Sequence, residues 1–255
     1  MTISNRSDLD GMQRVGRLVG EAHAYLATQV SPGISTAELD ERGARFLRAR
    51  GARSAPQLTY GFPGFNLISI NDEIVHGVPG HRRLAPGDLV KIDITAELDG
   101  FVADAARTIA LPAAPPVARR LARCARRAFT AALAVVCPGR PLRSLGCAVE
   151  RTAYRAGFAV LRELMGHGVG RTIHELPTVP NFDDPSAQGV LHEGLVLAVE
   201  PLLASRPAVV VEDPDGWTLR THNGALAAHH ENTIVILQGR PVILTGWSIQ
   251  RRPPN

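Results

Sequence analysis

Cysteine is scarce in this 255-residue chain, where only Cys124, Cys137 and Cys147 occur. An odd number of cysteines with no C-x-x-C spacing excludes a disulfide framework and a thiolate metal cage, so reduced, buried thiols are expected instead. Lysine is scarcer still. Lys91 is the only one, and arginine supplies nearly all the positive charge behind a net +4. Aromatic residues make up 5% of the chain, too few to interleave with the basic residues as platforms for stacked bases. Long apolar runs are also missing. The best, Ala128 to Cys137, is interrupted by Thr130 and stops at Pro138-Gly139, well short of the roughly 20 residues of a membrane helix. Met1 to Asp10 carries Asp8 and Asp10 and lacks a basic stretch followed by an apolar one. No secretory leader is expected, and the cytoplasm is the expected compartment.

What is present is ordinary globular material. Hydrophobic residues at 45% and charged residues at 20% can bury a sizeable core and are far from the make-up of a disordered chain. The 24 glycines and 19 prolines follow no period, which points to many turns and away from fibrous repeats. The densest basic run is Arg119, Arg120, Arg123, Arg126 and Arg127, opposite Leu121, Cys124, Ala125 and Ala128 at helical spacing. A solvated helix face is the expectation, with an RNA or ribosome contact as the alternative.

Hydrophobic periodicity predicts a helix from Asp10 to about Gln29, carried by Met12, Val15, Leu18, Val19, Ala22 and Leu26. A second follows, with Thr36 as N-cap and Gly51 as C-cap. From Phe65 the period shortens. Leu67 to Ile70, Leu89 to Ile94 and Phe101 to Asp104 read as strands divided by Asn71-Asp72, Pro86-Gly87-Asp88 and Asp99-Gly100 turns. After Leu111-Pro112 the order repeats in outline. Helices are predicted from about Pro116 to Val136 and Leu145 to Ala156, then strands at 195–199, 208–211, 217–220, 225–230 and 233–237. Two helix-helix-then-strands halves, about 8–111 and 112–245, with no Ser/Gly linker between them, predict one α+β domain spanning 1–255 around a shared sheet. The tail from Arg251 to Asn255 is expected to fray.

Chemistry enters with acids inside apolar β-type runs, because a buried carboxylate needs a partner. Asp93 sits in Val90-Lys91-Ile92-Asp93-Ile94 and Asp104 in Val102-Ala103-Asp104-Ala105. With Glu97 to Gly100 as a four-residue loop, Asp93 falls opposite Asp104, and two such charges repel unless a cation lies between them. Gly166-His167-Gly168-Val169-Gly170 places a histidine in a turn-like, glycine-rich setting, and His174 follows. Glu200 in Val199-Glu200-Pro201 and Glu231 in His230-Glu231-Asn232-Thr233 are again acids in apolar runs. Singly, each acid reads as a solvent-facing strand residue or a ligand. Together, two Asp, two Glu and one His form a hard, oxygen-rich set suited to two divalent ions about 3.5–4 Å apart.

These residues, with Ile70-Asn71-Asp72-Glu73-Ile74-Val75-His76-Gly77-Val78-Pro79 and His174-Glu175, resemble a type I methionine aminopeptidase over about Met12 to Leu244. The resemblance implies a pita-bread fold, a pseudo-twofold α+β domain around a curved antiparallel sheet with a dinuclear metal site in its cleft. It implies that Asp93 chelates one ion, Asp104 and Glu231 bridge both, and His167 with Glu200 completes the second. Cobalt, manganese, iron or zinc would suit. His76 would contact the substrate's backbone nitrogen and His174 the scissile carbonyl and its developing oxyanion, while Glu200 would also shuttle a proton. The implied substrates are nascent chains and peptides beginning with Met before a small residue, and a monomer is expected.

Departures from the family gather near the substrate. Leu67, Thr59 and Ile173 stand where Cys, Tyr and Phe are frequent, Leu164 where an aromatic is usual, and Asn232 where a His follows the last acid. Phe62 and Trp217 keep an apolar wall for the methionine side chain. An X-Pro aminopeptidase would carry a His at the position of Glu163, and a metal-free binding module would have lost ligands, whereas all five are kept.

Overall fold

The computed structural model describes residues 1–246. The expected fraying of Arg251 to Asn255 lies outside the described residues. Two helices open the chain, α1 (Arg6–Ala27) and α2 (Thr36–Arg48). Asn5 caps α1 by accepting from the Asp8 N–H. Ser35, one residue before the expected cap, caps α2 in a reciprocal box with Glu38, which satisfies two end donors at once. Ala49, not the expected Gly51, is the C-cap of α2, and Gly51 follows in a left-handed conformation. Then come β1 (Arg53–Ser54), the short helix α3 (Ala55–Tyr60), β2 (Leu67–Ile70), β3 (Glu73–Val75) and the long hairpin β4 (Leu89–Leu98) with β5 (Phe101–Ala110).

The second half repeats the plan with α4 (Pro116–Leu133) and α5 (Arg143–Arg155). Its strands are β6 (Ala159–Val160), β7 (Gly166–Gly168), β8 (Glu175–Val179), β9 (Val196–Val199), β10 (Leu202–Ala204), β11 (Val210–Glu212), β12 (Leu219–Thr221), β13 (Ala227–His229), β14 (Asn232–Leu237) and β15 (Arg240–Ile243). Every strand pair among the described residues is antiparallel. Strand β4 takes β5 on one side and β2 with β1 on the other, and a second sheet runs β15-β14-β9-β7-β8.

Alternation along β9 and β14 shows how the sheet is buried. Val196, Ala198 and Val235 join the core beneath α1 and α2, while Leu197, Val199, Ile234 and Ile236 join the core beneath α4 and α5. Both faces of these strands are therefore covered, which is why they read as continuous apolar runs. Helix α1 comes close enough that a Cβ on Gly16 would lie 2.7 Å from the Leu244 carbonyl oxygen, so only glycine fits there.

Three expectations need correction. The β4–β5 connection is a two-residue turn, with Asp99 and Gly100 both at positive φ, the geometry that matches strand twist. The register therefore pairs Leu98 with Phe101, Thr95 with Asp104 and Asp93 with Ala106. Asp93 and Asp104 share a face, but diagonally rather than directly opposite. His167 lies in β7 rather than in a turn. The glycines beside it are close-approach residues, since a Cβ on Gly166 or Gly168 would collide with the Ala198 or Leu176 carbonyl. Of the cysteines only Cys124 is buried, while Cys137, beside the Pro138-Gly139 turn, is exposed, and all three are free thiols. The arginine run of α4 does lie on the exposed face opposite its buried stripe. Among the described residues no helix is long and apolar enough to cross a membrane.

Candidate metal and substrate site

A cavity of about 180 Å³ opens between the two halves, lined by Asp93, Asp104, His167, Glu200 and Glu231 as well as by His76, His174, Phe62, Leu67 and Trp217. All ten residues expected at the site from sequence thus face one space. The acids arrive from different strands. Asp93 and Thr95 come from β4, Asp104 from β5, Glu200 from the end of β9 and Glu231 from the junction of β13 and β14.

The two halves lock together where Asp104 and Glu231 meet. The Thr233 hydroxyl accepts from the Asp104 N–H at 2.8 Å and donates to the Asp104 carbonyl at 2.8 Å. Thr108 does the same for His229, at 2.8 and 2.7 Å. Between these, the Glu231 N–H donates to the Ala106 carbonyl at 2.9 Å. Both acid-bearing backbones are fixed before any ligand arrives. Behind them, Arg107 donates to the Glu231 carbonyl and to Asn232 Oδ1. Asn232 is thereby turned to the far side of the sheet and does not line the cavity.

The acids repel one another in a dry place. Asp104 is 5% exposed and Glu231 1%. Burial first, then the neighbouring carboxylates, pushes the Asp93 and Glu231 carboxyls well above the usual range. Glu200 is raised for the same reasons. Asp104 is pushed up to about 6 by burial, opposed by the Thr95 hydroxyl, which donates to it at 2.9 Å. His167 is held neutral, its pKa lowered to about 4 by burial and then by His174. Its Nδ1–H donates to the Gly168 carbonyl at 2.9 Å, leaving Nε2 3.5 Å from Glu200.

A divalent cation resolves this arrangement. Six buried side-chain polar atoms lack a hydrogen-bond partner among the described residues, and four belong to Asp93, His229 and Glu231. Ligand atoms of Asp104, His167 and Glu231 lie within 4.8 Å of one another, as do those of Asp93, His229 and Glu231. Crowded carboxylates with orphaned oxygens and a neutral imidazole are the donors a hard to borderline cation requires.

The apolar wall is built differently. Asp215 accepts from the Trp217 N–H at 2.9 Å and the Thr218 N–H at 2.8 Å, an Asx turn that presents Trp217. Pairing of Val75 with Leu219 between β3 and β12 sets Trp217 and His76 near each other across the two halves. Trp217 stands edge-on to Phe62 with centroids 5.3 Å apart. Leu67, Leu164, Ile173 and Leu202 complete the wall. His76 has φ 58° and is pinned by Gly77, whose N–H donates to Ser69 Oγ at 3.0 Å and whose carbonyl accepts from Ile68 at 2.9 Å.

Thr59, placed by sequence near the pocket, is exposed and does not line it. Its neighbour Tyr60 does, with its hydroxyl 2.5 Å from His174 Nδ1. Sequence reasoning missed Tyr60 because nothing foretells α3. It also passed over His229, although His229-His230-Glu231 put two histidines beside a recognised acid.

Residues 10–238 match the model of metallopeptidase family M24. A curated relative, methionine aminopeptidase 2 of Bacillus subtilis, is 38% identical over 247 residues, covering 96% of this chain and 99% of the relative. The methionine aminopeptidase of Thermotoga maritima superposes with a TM-score of 0.92 at 31% identity, covering 96% of this chain and 99% of that one. That of Rickettsia prowazekii gives 0.91, also at 31%, covering 96% and 100%. The chain belongs to metallopeptidase family M24, and its pita-bread fold and metal dependence follow from that membership.

Proposed function

We propose that this protein is a methionine aminopeptidase that removes the N-terminal methionine from nascent chains and peptides whose second residue is small. The reading rests on one conjunction. Four crowded acids and His167 crown a cavity whose opposite wall is the apolar set of Phe62, Leu67, Ile173 and Trp217. One end suits a metal-held reacting centre and the other an unbranched apolar side chain.

Residues 1–255 act as one catalytic domain, its halves about 8–111 and 112–245. Asp93 would hold one ion, Asp104 and Glu231 would lie between two, and His167 with Glu200 would hold the second, as cobalt, manganese, iron or zinc. When bound, such ions supply Lewis acidity that activates water near neutral pH and polarises a carbonyl.

The chain's own groups do the rest. His76 orients the backbone nitrogen of the scissile bond. The Tyr60 hydroxyl lies 2.5 Å from Nδ1 of His174; in the tautomer protonated on Nε2 it donates there, and Nε2 donates to the carbonyl oxygen as its charge grows. A donor aimed at charge that appears only at the tetrahedral stage raises rate rather than affinity. Glu200 takes up a proton from the attacking water and passes it to the leaving amine. Substrates reach a monomeric enzyme in the cytoplasm, and the exposed arginine face of α4 offers a ribosome contact.

The test is a peptide panel of Met-Ala-, Met-Gly-, Leu-Ala- and Ala-Pro- substrates, assayed with each metal and after exhaustive chelation. Met-Ala- and Met-Gly- are expected to be cleaved in a metal-dependent way. Cleavage of Ala-Pro- with Met-Ala- untouched would overturn the methionine reading while leaving the family chemistry.

A further inference from the structure

The resemblance places five side chains at the metals, and His229 is not among them. It nonetheless occupies the floor of the cavity. It closes β13 two residues before Glu231, is 2% exposed, and has no hydrogen-bond partner on either ring nitrogen. Its backbone N–H and carbonyl are both held by Thr108, so the point from which the side chain enters the cavity is fixed by the fold. Nε2 lies 3.5 Å from Glu200 Oε2 and 3.5 Å from Glu231 Oε2.

Those separations carry the argument. They are too long for good N–H···O hydrogen bonds, which centre near about 2.9–3.0 Å. Two ligand atoms each roughly 2.0–2.2 Å from a shared ion, at angles between right and tetrahedral, lie about 3.0–3.5 Å apart. The Asp93, His229 and Glu231 ligand atoms meet within 4.8 Å, as do those of Asp104, His167 and Glu231. The two groups share Glu231 and have one imidazole each.

We propose that His229 is a sixth metal-holding side chain, its Nε2 serving the ion held by Asp93, with which it shares Glu231; Glu200 lies between the two imidazoles, one oxygen 3.5 Å from His229 and the other 3.5 Å from His167, so that each ion of the pair has one histidine. This rests on the two-ion reading above. It also changes the chemistry of that ion. An all-oxygen set suits hard cations such as Mn(II), whereas an added imidazole favours Co(II), Fe(II) or Zn(II).

The deciding measurement is X-ray absorption on the full-length protein loaded with two equivalents of Co(II), which counts imidazoles per ion. The expected average is one per ion. If His167 is the only imidazole, the average is one half and the proposal falls. In His229→Gln the average should drop to one half. Co(II) affinity at one of two sites, read by isothermal titration, should then weaken roughly 10–100-fold, with Mn(II) affected less. A variant that binds both ions as the parent does overturns the proposal. If the variant does not fold, the parent's spectrum still decides. Binding of fewer than two ions would instead overturn the two-ion reading, and His229 with it.

Discussion

His23 and His229 are each 2% exposed, yet their surroundings treat them differently. His23, on α1, has Nε2 2.6 Å from the Ala105 carbonyl. Nearby polar groups are settled in the same way. Lys91 Nζ donates to the Asn71 and Ala227 carbonyls at 2.8 and 3.2 Å, and Asp40 accepts from the Phe65 and Asn66 N–H groups at 3.1 and 2.7 Å. In the cleft, His229 and Glu231 are as deeply buried and Asp93 is half-buried, yet each is left with an orphaned atom. Away from the cleft the protein supplies most partners itself, Asn66 Oδ1 and Arg220 Nε being the exceptions among the described residues. In the cleft it withholds the partner, and what it withholds is what a cation supplies.

Breaking the cleft should have the largest effect. Asp104→Ala or Glu231→Ala is expected to abolish peptide cleavage and to lower bound metal below two ions, both read with the purified protein. The metal-free variants should stay folded by circular dichroism, because each loses a buried acid that its neighbours repel. Full turnover after exhaustive chelation would remove the metal from the account altogether.

Next in size is His174→Ala, which should lower kcat by about 10²–10³-fold with a much smaller change in KM. Tyr60→Phe should reduce kcat in the same sense by less, since it frees the ring without removing the donor. An unchanged kcat in His174→Ala would return that histidine to a structural role.

The helix side can be tested by pH. Burial, and then Arg107, lowers the His23 pKa to about 3, so the folded protein holds this ring neutral while the unfolded chain protonates it near its ordinary value. Its contribution is complete above about pH 6.5 and is lost as pH falls toward 3, at about 1.4 kcal/mol per pH unit. Urea midpoints measured from pH 7 to 4 should therefore fall less steeply in His23→Gln than in the parent, by about one proton's worth of slope. Parallel curves would mean that the folded protein does not hold His23 neutral.

Much of this was legible in the sequence, for identifiable reasons. The apolar faces of α1 and α4 carry a helical period, β4, β5 and β14 read as short apolar runs, and the five expected metal-holding residues do converge on one cavity. The misses are places where local pattern is mute. Helix α3 is six residues with a proline in its first turn, too short to show periodicity, so the sequence points to Thr59 where the fold places Tyr60. Strand β7 hides because glycine reads as a turn, whereas here it allows strands to crowd. The hairpin register turned on whether Asp99-Gly100 was a whole turn or half of one. His229 was visible as a letter, but only the fold brings its Nε2 within 3.5 Å of Glu200 and Glu231 and leaves both ring nitrogens without a hydrogen bond.

The smallest expected effect lies on the apolar wall. Leu67 is 5% exposed and pairs in register with Asp93 across β2 and β4, so it belongs to both regions at once: its backbone to the acid cluster, its side chain to the pocket with Ile173, Phe62 and Trp217. Leu67→Cys shortens the side chain while leaving the strand pairing intact. An unbranched methionine tolerates a reshaped cavity better than a branched residue does, and apolar pockets separate near-isosteres by only roughly 10–200-fold per methylene-sized difference. The parent should therefore prefer Met with measurable cleavage after Leu or norleucine, and Leu67→Cys should raise kcat/KM for Met-Ala- peptides by a factor of about two to five. The lost packing costs about 1–3 kcal/mol of stability, seen as a lower melting temperature. A fall of more than about tenfold in kcat/KM, with weaker metal binding, would mean that the wall and the acids act as one unit through the Leu67–Asp93 pairing.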